Sequence, residues 1–177
     1  MDLNRFILDL IRKKNIKWME ERRLDFVPLL SIFLYHIVDG KSVLIYTDKD
    51  REWYGDYLVN KINSFGEFKP SFIPIYLLKK IVPQIQKAKH PEEFEMIEDM
   101  LNISFNENYI FWYIGKETNI LKFIRKKPES FFWIMDTDLS KNFYLKSTDN
   151  NLDRKLLDLA DIINESIKAA IFAEVEI

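Results

Sequence analysis

The sequence contains no cysteine. That excludes disulfides, thiolate metal centres and cysteine nucleophiles. It contains two histidines, His36 and His90, too few for a metal centre built mainly from imidazole. Glycine is scarce, and no G-x-G-x-x-G or complete phosphate loop occurs. Serines occur singly, without the G-x-S-x-G of a nucleophile elbow. Strong charge of either sign is also missing. The net charge is −2, Lys outnumbers Arg, and the basic residues are spread along the chain. A direct reader of nucleic acid concentrates positive charge, much of it as Arg, on one face. No apolar run is long enough for a bilayer. The greasiest stretch, Leu29 to Val38, is short and interrupted by Ser31 and His36. The start, Met1-Asp2-Leu3-Asn4, lacks the basic region of a secretory signal. These absences lead to the expectation of a cytoplasmic protein without membrane contact, metal or cofactor.

What is present suits one domain. The 177 residues fit a single unit, and 47% are hydrophobic, enough for a substantial core. Aromatics make up 15% of the chain. Such rings serve either a large-ring core or contacts between subunits and partners, and composition leaves both open.

The organising stretch is Ser42-Val-Leu-Ile-Tyr-Thr-Asp48, an unbroken apolar run that reads as a strand buried on both faces. Before it, Leu3, Phe6, Ile7, Leu10, Ile11 and Trp18 follow helical spacing, with Asp2 as cap. A second helix is expected from about Phe26 to Val38, with Asp25 near its cap, Pro28 in its first turn and Gly40 beyond its end. Phe26, Leu29, Leu30, Phe33, Leu34 and Ile37 form one stripe, and Val27, Ile32 and Tyr35 make the other side apolar too. A helix apolar nearly all round is buried on more than one side, here by another subunit.

After the first strand comes a helix from about Arg51 to Asn63, closed by Ser64-Phe-Gly66. A second strand is expected over Ser71–Ile75, and Pro74 makes it an edge strand. Leu78, Ile81, Val82 and Ile85 suggest a helix that Pro83 interrupts. Pro91 with Glu92 and Glu93 opens a better one, whose buried face is Phe94, Ile97 and Leu101. Further strands are expected at Tyr109–Ile114, Ser130–Met135 and Asn142–Leu145. A helix capped by Thr118 lies between the first two, and a final helix from about Asp149 carries Leu152, Leu156, Leu159, Ile163, Ile167 and Ile171. Alternating strands and helices predict a mainly parallel sheet with helices on both faces. Only Asp136 to Lys141 separate the last two strands. A parallel crossover usually takes a dozen residues, so the pattern favours an antiparallel pair there.

Candidate chemistry is thin. Asp48 and Asp50 follow the first strand, where open α/β sheets bind ligands. They suit a hydrated metal or acid–base work, and more readily the capping of a helix. Gly115-Lys116 matches only the end of a phosphate loop, because Phe111 occupies the position of the earlier glycine. Thr118 at the following helix start is left as a weak anion site. His36 reads as a hydrogen-bonded interface histidine, and His90 as a helix-entry residue. Ile171 and Phe172 cannot both join the core stripe. One of them turns outward beside Glu174 and Glu176, as a small docking patch or as tail packing. No constellation reads as catalytic.

Several segments, in order and spacing, resemble the HobA family of bacterial proteins that bind the replication initiator DnaA. They are Ser42-Val-Leu-Ile-Tyr-Thr-Asp48 with Arg51 and Trp53, Phe111-Trp-Tyr-Ile-Gly-Lys116, Pro128-Glu-Ser-Phe-Phe-Trp133 and Leu152-Asp-Arg-Lys-Leu-Leu157. The resemblance covers nearly the whole chain and rests on the ordered set. It implies a single sugar-isomerase-like (SIS) α/β domain over residues 1–177, a three-layer sandwich around a five-stranded sheet in the order 2-1-3-4-5. It also implies a homotetramer that binds the N-terminal region of DnaA, contacts DNA only through DnaA, and promotes DnaA assembly at the origin without catalysis. SIS domains that hold phosphosugars use a Gly- and Ser-rich loop after the first strand. Here Thr47-Asp-Lys-Asp-Arg51 replaces it, which argues against the alternative of a phosphosugar-binding or isomerising protein. The partner-contact candidates are Asp48, Asp50, Arg51, Trp53, Tyr54, Ile171 and Phe172, chosen for their placement at a sheet-end crevice and for exposed apolar character.

Overall fold

The strand β3 (Tyr109–Lys116) runs through the middle of the molecule, and seven of its eight residues are buried. Runs such as Ile110-Phe-Trp-Tyr-Ile114 contain no polar residue because both faces of this strand are covered. In the computed structural model, which describes residues 1–64 and 73–177, β3 lies at the centre of a five-stranded sheet. On one side it pairs with β1 (Ser42–Thr47), and β1 with the short edge strand β2 (Ile75–Leu77). On the other it pairs with β4 (Phe131–Met135), and β4 with β5 (Phe143–Leu145). Every pairing is parallel, and the order is β2-β1-β3-β4-β5.

Alternation along the strands splits the core in two. Val43, Ile45, Ile110, Trp112, Ile114, Phe131 and Trp133 face one layer, formed by α1 (Leu3–Lys13), α2 (Met19–Val38), α3 (Glu52–Ile62) and α7 (Leu152–Ile171). Leu44, Tyr46, Phe111, Tyr113, Phe132 and Ile134 face the other, formed by α4 (Leu78–Ile81), a 3₁₀ segment over Pro83–Lys87, α5 (Pro91–Phe105) and α6 (Asn119–Ile124). The aromatic content belongs largely to this core. Phe26, Phe33, Trp112, Phe131, Trp133 and Phe143 meet in edge-to-face and stacked pairs with centroids 4.7–6.2 Å apart. Each such pair adds about 1 kcal/mol to the stabilisation from buried area.

Helix boundaries follow identifiable signals. The Asp2 carboxylate accepts from the Arg5 N–H and caps α1. At the end of α2, Gly40 adopts φ +83°, its N–H donates to the Ile37 carbonyl, and the Lys41 N–H donates to that of His36. This paired arrangement closes a helix around a left-handed residue.

The structure corrects several expectations. α2 begins at Met19, almost two turns before Asp25, so Glu20 and Glu21 occupy its first turn. Pro28 therefore lies inside the helix, where it denies the Leu24 carbonyl an N–H. Trp18 is not on α1, which ends at Lys13; it precedes α2 and packs on the core from there. β2 starts at Ile75, after Pro74, whose carbonyl accepts from the Val43 N–H at 2.8 Å. Ser71 and Phe72, the first part of that expected strand, lie outside the described residues, as do Phe65 and Gly66. α7 starts at Leu152; Asp149 instead accepts from the Asn151 N–H and pairs with Lys155.

The expected antiparallel β4–β5 pair is also overturned. β5 is parallel to β4, with Trp133 opposite Phe143 and Met135 opposite Leu145. The dozen-residue rule presumes full-length strands joined through a helix. Here the chain only has to return from the level of Met135 to that of Trp133, roughly 7 Å at about 3.3 Å per residue. The segment 136–142 spans that without a helix, turning through left-handed Asp136 (φ 64°) and Lys141 (φ 61°).

Candidate functional site

In the order 2-1-3-4-5 the chain winds away in opposite directions from β1 and β3. A crevice therefore opens beyond their carboxyl ends. The two loops that the sequence offered as separate suspects form its two walls. A cleft of about 660 Å³ lies between them, lined by Tyr46, Asp48, Lys49 and Asp50 from the β1 side and by Lys116, Glu117, Thr118, Asn119 and Ile120 from the β3 side. Gln86, Ala88 and Lys89 close it.

The floor is tied together by Asp48. Its Oδ1 accepts from Arg51 Nε at 2.6 Å, and its Oδ2 accepts from Arg51 Nη2 and from the Lys116 backbone N–H, the latter at 2.9 Å. The Arg51 side chain is 6% exposed and that of Asp48 12%. The two-point guanidinium–carboxylate fork is therefore shielded from water and geometrically specific. Asp48 precedes a 3₁₀ turn over Lys49–Arg51, as a cap would, but its carboxylate makes no capping bond to that turn. Asp50 is 71% exposed and stands 3.6 Å from Arg51.

Gly115 makes this joint possible. A Cβ there would lie 2.8 Å from Asp48 Oδ2 and 2.9 Å from its Cβ and Cγ. Gly115 and Lys116 belong to the strand itself, so they form no phosphate loop, and the Lys116 N–H beside Gly115 is taken by Asp48. Thr118 precedes α6 without making a capping bond; its hydroxyl lies 3.1 Å from that of Tyr113. Burial, reinforced by the Asp48 carboxylate, pushes the Tyr46 phenol up to about 12. Burial also pushes the Tyr113 phenol up. Neither titrates near neutrality.

A metal reading of Asp48 and Asp50 finds no support in this geometry, because Asp48 spends both oxygens on Arg51 and β3. Among the described residues no three His, Asp or Glu converge to hold an ion.

The remaining sequence-derived candidates scatter. Trp53 is 41% exposed at the start of α3, its ring edge-on to that of Tyr54. Tyr54 is fully buried and donates its hydroxyl to the Leu156 carbonyl at 2.7 Å, tying α3 to α7. Ile171 packs partly against the core, while Phe172 is 64% exposed at the end of α7. His36, expected to be hydrogen-bonded, has a buried Nδ1 with no partner among the described residues. Burial, then Lys41, holds its pKa below the usual imidazole value. His90 is the helix-entry residue expected of it: Glu93 accepts from the His90 N–H at 2.9 Å at the start of α5. Sequence reasoning missed Tyr46, Gln86 and Lys89 as cleft residues. Tyr46 was legible as the last large side chain of the strand; the other two come from a segment whose path the pattern did not define.

A family model described as "HobA: DNA replication regulator" matches residues 1–177 of this chain. The chain belongs to the HobA family. The DNA replication regulator protein HobA of Helicobacter pylori is 22% identical over 160 residues, covering 89% of this chain and 86% of that protein. Two solved structures have the same fold. One is a complex of H. pylori HobA with DnaA domains I–II, matched at a TM-score of 0.78 and 21% identity over 97% of each chain. The other is H. pylori HobA itself, matched at 0.78 and 20% identity over 96% of this chain and 91% of that one. The expected α/β architecture with order 2-1-3-4-5 is thus common to this chain and to solved HobA structures. Among the described residues no helix is long and apolar enough to cross a membrane.

Proposed function

We propose that this HobA-family chain regulates replication initiation by binding the N-terminal region of DnaA, as a non-enzymatic adaptor that gathers several DnaA molecules on one homotetramer. The family match over the whole chain carries the reading. The likeness to a HobA solved with DnaA domains I–II supports it.

The chemistry of the cleft favours binding over turnover. Asp48, its best-placed carboxylate, is fixed by Arg51 and Lys116. A sugar phosphate entering there would meet that carboxylate where it needs free N–H groups, which weighs against the phosphosugar reading. A net charge of −2 weighs against direct DNA binding, so contact with the origin runs through DnaA.

Oligomerisation has its own support. Ile32, Tyr35 and Val38 on α2 are 50–59% exposed in the single chain. Beside them Pro28, Leu29, Ile32, Pro128 and Phe131 line a groove of about 440 Å³. Such a surface favours burial against a second copy. On a tetramer, modest individual DnaA contacts add through effective concentration.

Size-exclusion chromatography with light scattering tests the reading, on the protein alone and mixed with the N-terminal domain of DnaA from the same organism. The expected result is a tetramer that grows by several DnaA domains. A protein whose mass is unchanged by DnaA overturns the adaptor function, and a monomer overturns the assembly.

A further inference from the structure

An unpartnered imidazole nitrogen lies beside the apolar face of α2. His36 Nδ1 is sealed from solvent and has no hydrogen-bond partner among the described residues. His36 as a residue is only half-buried. It stands one turn after Ile32 and next to Tyr35, whose ring is edge-on to it at 5.5 Å. Ile32, Tyr35 and Val38 are the exposed apolar side chains of this face. The charged groups around the imidazole are Lys41, just beyond the helix, Glu129, in the turn before β4, and Asp39, at the helix end. Lys41 and Glu129 stand 4.0 Å apart and partly answer one another. Burial, then Lys41, outweigh Glu129 and Asp39 and hold the imidazole below its ordinary 6.5.

A neutral imidazole carries one N–H and one bare nitrogen. With no acceptor at Nδ1, the tautomer that fits holds its proton on Nε2. Proton uptake would place a second N–H on Nδ1, where no acceptor waits and no water reaches. A second copy cannot reach that atom either, because its own chain seals it. In the single chain, water over the open part of the residue offsets some of the new charge. Covering the α2 face removes that water. The charged ring is therefore worse placed in the assembly than in the free chain, and only such a difference shifts an equilibrium.

We propose that the α2 contact between copies is gated by pH, with proton uptake at His36 opposing it, so that mild acid takes the assembly apart. This gate rests on the α2 self-association reading and adds its regulation; DnaA plays no part in it. The sign follows from linkage. A histidine whose pKa is lower in the assembled form supports assembly at neutral pH and withdraws that support as pH falls below the free-chain value. Since the free chain already titrates below 6.5, the window opens below that pH. A two-fold contact covers two such imidazoles together. Its association constant then falls by up to about 100-fold per pH unit within the window. The other histidine, His90, enters α5 in the layer across the sheet and lies outside this face.

The test follows mass by light scattering at one protein concentration, from about pH 7.5 to about pH 5, with circular dichroism at each step. It compares the full-length protein with His36→Gln, which is neutral throughout and keeps a good helix former at the site. The wild-type mass is expected to fall with pH while the dichroism stays unchanged, and the variant is expected to keep its mass. A wild-type mass that holds or rises overturns the inference. So does a variant that dissociates as the wild type does, or that is already dissociated at neutral pH, because the ring would then act by packing. Loss of dichroism alongside mass overturns it too, by making the event unfolding. Nuclear magnetic resonance of ring-labelled histidine gives a readout independent of the variant. The His36 pKa is expected to be lower at concentrations where the assembly holds than at those where it is dissociated, and equal values overturn the gate. A wild-type monomer at neutral pH overturns the assembly reading itself, an outcome distinct from an assembly that ignores pH.

Discussion

At the scale of single residues, Gly40 and Gly115 show two different reasons for having no side chain. Gly40 sits at φ +83° with nothing within 4 Å of a Cβ built on it. Its constraint is backbone conformation alone, so Gly40→Ala should cost about 1 kcal/mol. Gly115 has ordinary dihedrals but faces Asp48, which Arg51 and the Lys116 N–H hold in place. Gly115→Ala should cost about 2–3 kcal/mol, because the neighbour cannot give way. The contrast shows up in a double-mutant cycle read by urea denaturation. Asp48→Ala removes the carboxylate part of the obstruction and frees the remaining Cβ from the Arg51 and Lys116 ties, so the Asp48→Ala/Gly115→Ala pair should cost less than the two single changes together. Asp48→Ala with Gly40→Ala should be additive. Additivity in both cycles would mean that Gly115 is not the seat of the Asp48 joint. The sequence offered Gly115 as a fragment of a phosphate loop and Asp48 as a cap, and gave no sign that the two meet. Their separation of 67 positions is closed only by the parallel pairing of β1 with β3. Tyr54 is a different case. Tyr54, Leu58 and Ile62 at i, i+4 and i+8 already point to one buried face, and the crevice argument overrode that phase.

At the scale of elements, the strands were legible because burial on both faces leaves unbroken apolar runs. The connections were less so, because a link's length says little once a strand shrinks to three residues, as β5 does. Helix-to-helix ties were invisible. Asp161 on α7 accepts from Lys14, just beyond α1, at 3.0 Å and from Lys61 on α3 at 2.5 Å. Burial pushes its carboxyl up, but Lys61 and Lys14 outweigh that and hold it below the ordinary 3.8. Burial likewise pushes Lys61 down, and Asp161 with Tyr57 outweighs it, holding Lys61 above its ordinary value. A carboxylate with a lowered folded pKa contributes stability above its unfolded value and loses it as pH falls through the folded one. A lysine with a raised folded pKa contributes below its unfolded value and loses it as pH rises through the folded one. Asp161→Asn should therefore lower stability by about 1 kcal/mol at neutral pH, since these groups remain about a third exposed. The deficit should vanish in acid, once the wild-type carboxyl is protonated. Thermal melts across the acid range check this, and a deficit that persists below the folded pKa would assign the loss to packing instead.

At the scale of the whole molecule, the sheet separates two apolar outer faces. α2 stands in the layer on one side of it and α5 in the layer on the other. If α2 joins copies and DnaA binds elsewhere on the molecule, damage to α2 has a signature of its own. Ile32→Asp/Tyr35→Asp changes two side chains that are 50% and 59% exposed in the single chain, so the fold should survive. Light scattering should then report a species smaller than the tetramer. Surfaces away from α2 would be intact, and a single DnaA domain in solution should bind each subunit about as well as before. Only on a surface dense with DnaA should retention fall, by roughly 10²–10⁴-fold, as linked binding events become separate ones. Equal loss in both formats would place DnaA on the α2 face as well. Unchanged mass would remove α2 from the assembly and leave its all-round apolar character without a partner.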